Sequence, residues 1–280
     1  MKYSKSDSVV IVLVLYNTYL EDCLSYNTFC KSISKCSLNW NLIIYNNSSE
    51  ITIQSKIATK IINASKNEKI SKAYNFALNY ALKNKAEWLL LLDQDTEIED
   101  DYFVKLSHYF NSNNEVNNNV VAIIPFLSDN FKVISPHKNS FFNCIRTEIT
   151  KPGLQFDFIT ALNSLSMLKV DFINSIGGFS EEFPLDMLDY WYYLKIFKNN
   201  KQIYLLDTLI KHNLSIFDME KNMSIDRYST LLKSEKKFIN ELNIISQFLY
   251  KFRLIYRTIK QFILYKNKRF SLITFQHIFK

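Results

Sequence analysis

The sequence predicts an α/β protein built on a doubly wound, mainly parallel sheet. Three observations carry that expectation. Short, continuous apolar runs recur along the first half, helical stretches separate them, and the connections are brief.

The elements follow in order. Val9 to Leu15 is an unbroken, β-branched run, the mark of a strand buried on both faces. Glu21 to Ser34 reads as a helix. Leu42 to Tyr45 is a short strand ending in the polar turn Asn46-Asn47-Ser48-Ser49, and Ile61-Ile62 marks a third strand. Ser71 to Asn84 reads as a helix whose Ala73, Ala77 and Ala81 form a narrow face for close packing on a sheet. Trp88 to Leu92 is a fourth strand. Val120 to Ile124 is another, with a loop-rich stretch after it up to Lys151. Pro184 to Asn199 reads as a helix and Ile203 to Leu206 as a strand. After Asp207 the pattern reads as helical to the end. Three strand ends carry polar residues: Asn17, Asn46-Asn47 and Asp93-Gln94-Asp95. Ligands of such sheets bind beyond the carboxyl ends of the strands.

Composition narrows the classes. Hydrophobic residues make up 48% and aromatic residues 15% of the 280, ample for a packed core. Glycine is scarce, at three residues, which speaks against motifs that need several, such as the dinucleotide fingerprint and the P-loop. Cys23, Cys30, Cys36 and Cys144 form no C-x-x-C pair and have no His at metal-ligand spacing, so they read as free thiols in a reducing compartment. Cys23 and Cys30, seven apart in a helical stretch, would share a face. The N-terminal apolar run is short, is approached through Asp7 and lacks a small-residue cleavage site, unlike a signal peptide. No stretch reaches the ~20 apolar residues of a bilayer span. The expectation is a cytoplasmic protein, either free in the cytosol or peripheral on the inner face of the cell membrane.

Charge is unevenly placed. No acidic residue follows Glu241, whereas Lys251, Arg253, Arg257, Lys260, Lys266, Lys268, Arg269 and Lys280 do. They alternate with Phe, Leu, Ile and Tyr at helical spacing, as in a membrane-surface or partner-binding helix. The apolar interleaving favours an anionic membrane surface over nucleic acid despite a pI of about 9.0.

Asp93-Gln94-Asp95 carries the chemistry. An apolar strand ends abruptly in two carboxylates, and where the backbone leaves the strand both can face a cleft. Two hard oxygen ligands suit magnesium or manganese, which would neutralise a diphosphate. The plain alternative is that Asp95 caps a helix starting near Glu99 and Asp93 merely ends the strand.

The surroundings favour chemistry. Val9 to Asn17, Leu42 to Ser49, the set Asn67, Ile70, Ala73 and Asn75, Glu87 to Thr96, Gly177 to Phe183 and Leu185 to Asp189 stand in an order and spacing that resemble the family 2 glycosyltransferases, in particular their rhamnosyltransferase-like branch. The likeness runs over roughly residues 9 to 215. It implies a GT-A fold: a Rossmann-like, mainly parallel sheet flanked by helices, here with a helical C-terminal extension. Residues 1–215 would form the transferase domain, with 1–100 the nucleotide-sugar half and 101–215 the acceptor half, and 216–280 the basic helical extension.

The resemblance also implies roles. Asp189 would be the catalytic base. Tyr16, Asn17, Asn46, Asn47, Lys72, Asn75, Asp93, Gln94 and Asp95 would line the donor site. Asp186 and Trp191 would meet the acceptor. Asp95, Asp93 and His212 would hold a divalent metal, Mn2+ or Mg2+. The donor would be a UDP- or TDP-sugar, with rhamnose a candidate sugar, and the acceptor a glycan or lipid-linked chain of a capsule or lipopolysaccharide. Each role has a plainer reading: Asp189 as a helix-surface carboxylate, His212 as a structural hydrogen-bonder, Asp186 on the same helix face as Asp189 but solvated, and Gly177-Gly178 as a helix stop. The sequence departs from the family pattern at Asn46 (usually Asp), Lys69 (usually Gly), Lys195 (usually Arg) and Ala161 to Ser164 (usually a Thr-Ser-Gly-Ser type of segment). The residues at Asn46 and Trp191 are the best support for the alternative of a non-catalytic nucleotide-binding or partner-binding module on a degenerate transferase fold. A nucleotidyltransferase would want a Gly-rich phosphate loop that this sequence lacks.

Overall fold

In the computed structural model, residues 8–112, 117–129, 132–139, 146–212 and 223–279 are described; Cys144 lies outside them. The chain divides into two compact units, Met1–His137 with Glu148–Asn213, and Lys138–Thr147 with Leu214–Lys280.

The apolar runs of the first unit become its sheet. Strands β1 (Ser8–Leu15), β2 (Asn39–Asn46), β3 (Lys60–Asn63) and β4 (Trp88–Leu92) pair in parallel in the order β3-β2-β1-β4. Leu13 stands opposite Ile44 on one side and Leu92 on the other. β1 and β4 are buried almost throughout, which is why they read as unbroken apolar runs rather than alternating ones. The chain winds from β1 towards β3 on one side and places β4 on the other. The crevice at the carboxyl ends of β1 and β4 is therefore the switch point at which such sheets bind ligands.

Beyond β4 the sheet is mixed. β5 (Val120–Asp129), β6 (Lys132–Ser135), β7 (Gly153–Gln155), β8 (Met167–Lys169) and β9 (Gln202–Lys211) extend the order as β4-β8-β5-β9-β7, with β6 on β5. β9 runs parallel to β5, while β8 is antiparallel to both β4 and β5.

Helix α1 (Leu24–Ser32) continues into a 3-10 turn at Ile33–Lys35, and α2 (Lys69–Lys83), α3 (Asp100–Ser112), α4 (Val170–Ser175) and α5 (Leu188–Lys198) complete the unit. The alanine stripe of α2 behaves as its spacing predicts: Ala73, Ala77 and Ala81 are fully buried.

Three expectations are corrected. The stretch directly after Asp207 is not helical, although the helices from Ile225 onwards are where the pattern puts them; β9 runs on to Lys211, and Leu206, Thr208, Ile210 and His212 are buried while Asp207, Leu209 and Lys211 are exposed. That alternation is the period of a strand. Helix α5 begins at Leu188 rather than Pro184, because Met187 stands in the left-handed region at φ +64°. Asp186 therefore precedes the helix instead of sharing a face with Asp189. Cys23 and Cys30 also do not share a face: Cys23 is the buried N-cap of α1, its sulfur accepting the Tyr26 N–H, and Cys30 is exposed.

The second unit is helical, with α6 (Ile225–Asn240), α7 (Ile244–Leu264) and α8 (Arg269–Ile278). Tyr228, Leu232, Phe238, Leu254 and Phe270 form its core. A buried chain of hydrogen bonds runs from Gln261 through Tyr228 to Thr274, at 2.8 and 2.7 Å. Arg257 grips Glu235 through both guanidinium nitrogens, at 2.9 and 3.0 Å. Among the described residues, no helix is long and apolar enough to cross a membrane.

Candidate active site

Three strand ends are laced together. Gln94 Oε1, just past β4, accepts the Tyr16 N–H past β1 at 2.8 Å. The Asn17 N–H, with Asn17 at φ +52°, donates to Ser48 Oγ past β2 at 2.8 Å. Parallel strands with staggered ends leave backbone amides unpaired at their exits, and these side chains satisfy them. Tyr16 is 49% exposed at this edge.

The polar residues beyond β2 turn inward. Asn46 is fully buried; its Oδ1 accepts the Ser48 N–H at 3.0 Å, and its Nδ2 donates to Asn63 Oδ1 at 3.0 Å and to the Ile51 carbonyl. Asn47 accepts the Glu68 N–H at 3.0 Å and donates to the Lys69 carbonyl at 3.3 Å. Both amides are spent on holding the crevice wall. Lys69, at the family's glycine position, takes a left-handed φ of +70°, so the backbone bend survives without the glycine. Lys72 is exposed and paired with Glu68, whose carboxylate it and Tyr45 hold below the usual range.

Helix α2 clamps the segment that precedes α5. Asn75 donates to the Phe179 carbonyl and accepts the Phe179 N–H, both at 2.8 Å, and the Ser71 N–H donates to the Pro184 carbonyl at 3.1 Å. Gly178, at φ +86°, passes so close that a Cβ would stand 2.7 Å from Asn75 Oδ1. Tyr74 packs on Phe179 with ring centres 5.2 Å apart, and Phe179 stacks on Tyr192 of α5 at 6.0 Å. This packing sets the N-terminus of α5, and Asp189 with it, against the end of β4.

The acidic residues converge there. Tyr74 Oη lies 3.4 Å from Asp93 Oδ1. Burial and the charge of Asp95 push the Asp93 carboxyl up to about 6, against the opposing pull of His212 and Tyr74, and the charge of Asp189 adds to the rise. The Tyr74 hydroxyl is likewise held well above its ordinary range by burial, Asp93 and Asp189. Both groups thus feel the Asp189 carboxylate, whose Oδ1 accepts the Tyr190 N–H at 2.8 Å at the start of α5. Asp186 and Trp191 flank it; Trp191 is buried, with Lys195 Nζ 5.2 Å from its ring centre.

His212, the residue after β9, closes the site and forms an isolated antiparallel bridge with Thr96. It is buried, and its Nδ1 lies 2.8 Å from Thr96 Oγ1 and 3.8 Å from Asp95 Oδ1. Thr96 Oγ1 in turn meets Ser164 Oγ at 2.6 Å, while Ser25 Oγ accepts the Thr96 N–H at 2.9 Å and bonds the Asp93 carbonyl. The Asp93–Asp95 turn is thereby fixed from α1, from the loop before β8 and from β9. Tyr74 and Ser25 do not stand out in the sequence; Tyr74 sits inside the alanine stripe and reads as core.

Among the described residues no group of three or more His, Cys, Asp and Glu side chains is arranged to hold a metal. Two carboxylates are present, with Asp95 41% exposed on its side chain and Asp93 raised by burial and then by its neighbour's charge. That donor set fits a cation held by one or two carboxylates and completed by substrate phosphates, as magnesium sites commonly are. A dedicated three-ligand protein cage is not what it fits.

Comparison with known proteins bears on the family and the fold. The model of the family "Glycosyl transferase family 2" matches residues 8–174, from β1 to α4. The dTDP-rhamnosyl transferase RfbF of Shigella flexneri is 25% identical over 188 residues, covering 66% of this chain; the chain spans 61% of that relative's length. Among solved structures, Staphylococcus aureus TarS 1–349 superposes with a TM-score of 0.51 at 13% identity, over 95% of this chain and 74% of that one. The mannosyltransferase PcManGT of Pyrobaculum calidifontis, solved with GDP-Man and Mn2+, gives 0.52 at 11% identity, over 96% and 73%. GalNAc-T7, solved with UDP, GalNAc and Mn2+, gives 0.54 at 10% identity, over 84% and 50%. These structures share the GT-A fold with this chain. With the family matched over more than half its length, the chain belongs to glycosyl transferase family 2.

Proposed function

We propose that the protein is an inverting glycosyltransferase that moves a sugar from a nucleoside diphosphate to a glycan or lipid-linked acceptor of a surface polysaccharide. The convergence of Asp93, Asp95 and Asp189 at the switch point of the sheet supports this reading most. The likeness to a protein named a dTDP-rhamnosyl transferase makes a TDP-sugar the first donor to try. A divalent cation on Asp95 and Asp93 would offset the charge that builds on the departing diphosphate.

The chain's own residues do the rest. Asp95 and Asp93 face the diphosphate edge, and His212 and Thr96 fix the Asp95 turn. Tyr16 and Gln94 stand at the mouth. Asn46 and Asn47 shape the wall that receives the nucleoside, and Asn75 keeps the α5 segment in place. Lys72 flanks the entrance. Asp189 takes the proton of the acceptor hydroxyl as its oxygen bonds the anomeric carbon and the bond to the diphosphate breaks. Trp191 and Asp186 hold the acceptor side.

The test is a panel of nucleotide sugars, measured for binding and transfer with and without manganese, on wild type and two variants. Asp189→Asn should keep donor binding and lose transfer by about 10²–10⁴-fold. Asp95→Asn should lose the manganese-dependent part of donor binding. Near-wild-type transfer by Asp189→Asn would move the base elsewhere. The non-catalytic alternative draws on Asn46, whose amide is spent on protein partners; it expects donor binding with neither transfer nor hydrolysis in any metal.

A further inference from the structure

Helix α7 has two faces of opposite fate. One is packed within the second unit: Tyr250, Leu254 and Gln261 are buried, and Arg257 is turned inward onto Glu235. The other is apolar and exposed. Phe248, Phe252, Ile255, Ile259, Phe262 and Ile263 follow one another at helical spacing on it, with Phe262 62% and Ile263 69% exposed. Together with Tyr256 they span an arc of about 120° at roughly 100° per residue, wider than the seam of a two-helix coiled coil. α8 repeats the theme, with Phe275 and Phe279 exposed and their ring centres 5.2 Å apart.

The charges fit one kind of occupant. By helical phase, Lys251 borders one side of the α7 arc, and Arg253 and Lys260 border the other; all three are exposed. No acidic residue occurs on α7 or α8. A second copy of this helix would set cations against cations with nothing to pair them, contrary to what flanking positions of helix pairs provide. Nucleic acid would leave the arc of Phe and Ile exposed. An apolar arc bordered on both sides by cations is the pattern of a helix lying in a lipid interface, and α7 is not apolar enough to cross one.

We propose that the exposed face of α7 is a docking surface for an anionic lipid bilayer, with the helix in the plane of the interface, its aromatic and aliphatic side chains among the acyl chains and Lys251, Arg253 and Lys260 at the headgroups. Nothing in this surface depends on the chemistry at Asp93 and Asp95. An enzyme held there would meet lipid-linked substrate in two dimensions.

The experiment is co-sedimentation of the full chain with phosphatidylcholine vesicles, with and without phosphatidylglycerol, at low and high salt. Wild type is compared with the double variant Phe252→Asp/Ile259→Asp and the triple variant Lys251→Glu/Arg253→Glu/Lys260→Glu. Wild type should bind the anionic vesicles at least tenfold more tightly than the neutral ones and lose that preference in high salt. Each variant should lose at least tenfold in binding while keeping its circular dichroism and melting point. If a variant fails to fold, lipid composition and salt on wild type alone still decide. Equal pelleting with neutral and anionic vesicles, absence of pelleting, or folded variants that bind like wild type overturns the proposal. So does a wild-type dimer in light scattering that the double variant dissolves, since a second copy would then cover the face.

Discussion

Asp93 is where the site's electrostatics concentrate. Its carboxyl is pushed up to about 6, first by burial and then by Asp95, so the metal-free native state holds a proton that the unfolded chain releases near 4. The native state therefore binds more protons than the unfolded state between those values, and stability falls as pH rises through that window. The contribution is complete below about pH 4 and gone above about pH 6. In metal-free buffer, the unfolding free energy of wild type minus that of Asp93→Asn should decline between about pH 4 and pH 6. A flat difference would mean that Asp93 titrates as an ordinary carboxylate. The thiol of Cys23 is pushed up to about 11 by burial, so it is a packing group and cap rather than a nucleophile.

At the scale of elements, the contact between α2 and the Gly177-Gly178-Phe179 segment places Asp189. Both glycines have positive φ, at +88° and +86°, but only Gly178 abuts Asn75; around Gly177 a Cβ would meet nothing within 4 Å. Gly177→Ala should cost only the left-handed backbone penalty of about 1–2 kcal/mol. Gly178→Ala adds a clash with an amide already committed to Phe179, raising the cost by about another 1–3 kcal/mol. Urea unfolding of the two variants measures this, and equal costs would show that the close approach does not hold the segment. None of this packing is legible in the sequence, because it joins residues a hundred positions apart. What is legible is local. β1 and β4 read from unbroken apolar runs, α2 from its alanines, and the Asp93–Asp95 pair from an apolar strand that ends in carboxylates. β8 is missed because three residues carry no period, and the second half of β9 because its alternation follows an abrupt Asp207. Asp189 could be named from its motif, but its proximity to Asp93 comes only with the fold.

Across the whole molecule, charge and chromophores are segregated. Eight of the 34 Lys and Arg residues and none of the 27 Asp and Glu residues follow Glu241, so the net charge of +7 falls on that tail and the rest of the chain is nearly neutral. A strongly basic pI thus reports the tail and says little about the substrate of the first unit. All three tryptophans, Trp40, Trp88 and Trp191, lie in the first unit, so tryptophan fluorescence follows that unit alone. A ligand that binds only the native state at about a hundred times its Kd stabilises it by about 2.7 kcal/mol. For a unit of this size that raises the fluorescence melting midpoint by about 5–10 °C. TDP or UDP with manganese should produce such a rise at neutral pH, above the raised titration range of Asp93, where a cation between the carboxylate and the diphosphate is favoured. Asp95→Asn should keep whatever shift the nucleotide gives without metal and lose the rest. If the tryptophan midpoint ignores TDP, UDP and GDP alike with manganese present, the crevice between β1 and β4 is not a nucleotide site, and the transferase reading fails at its donor.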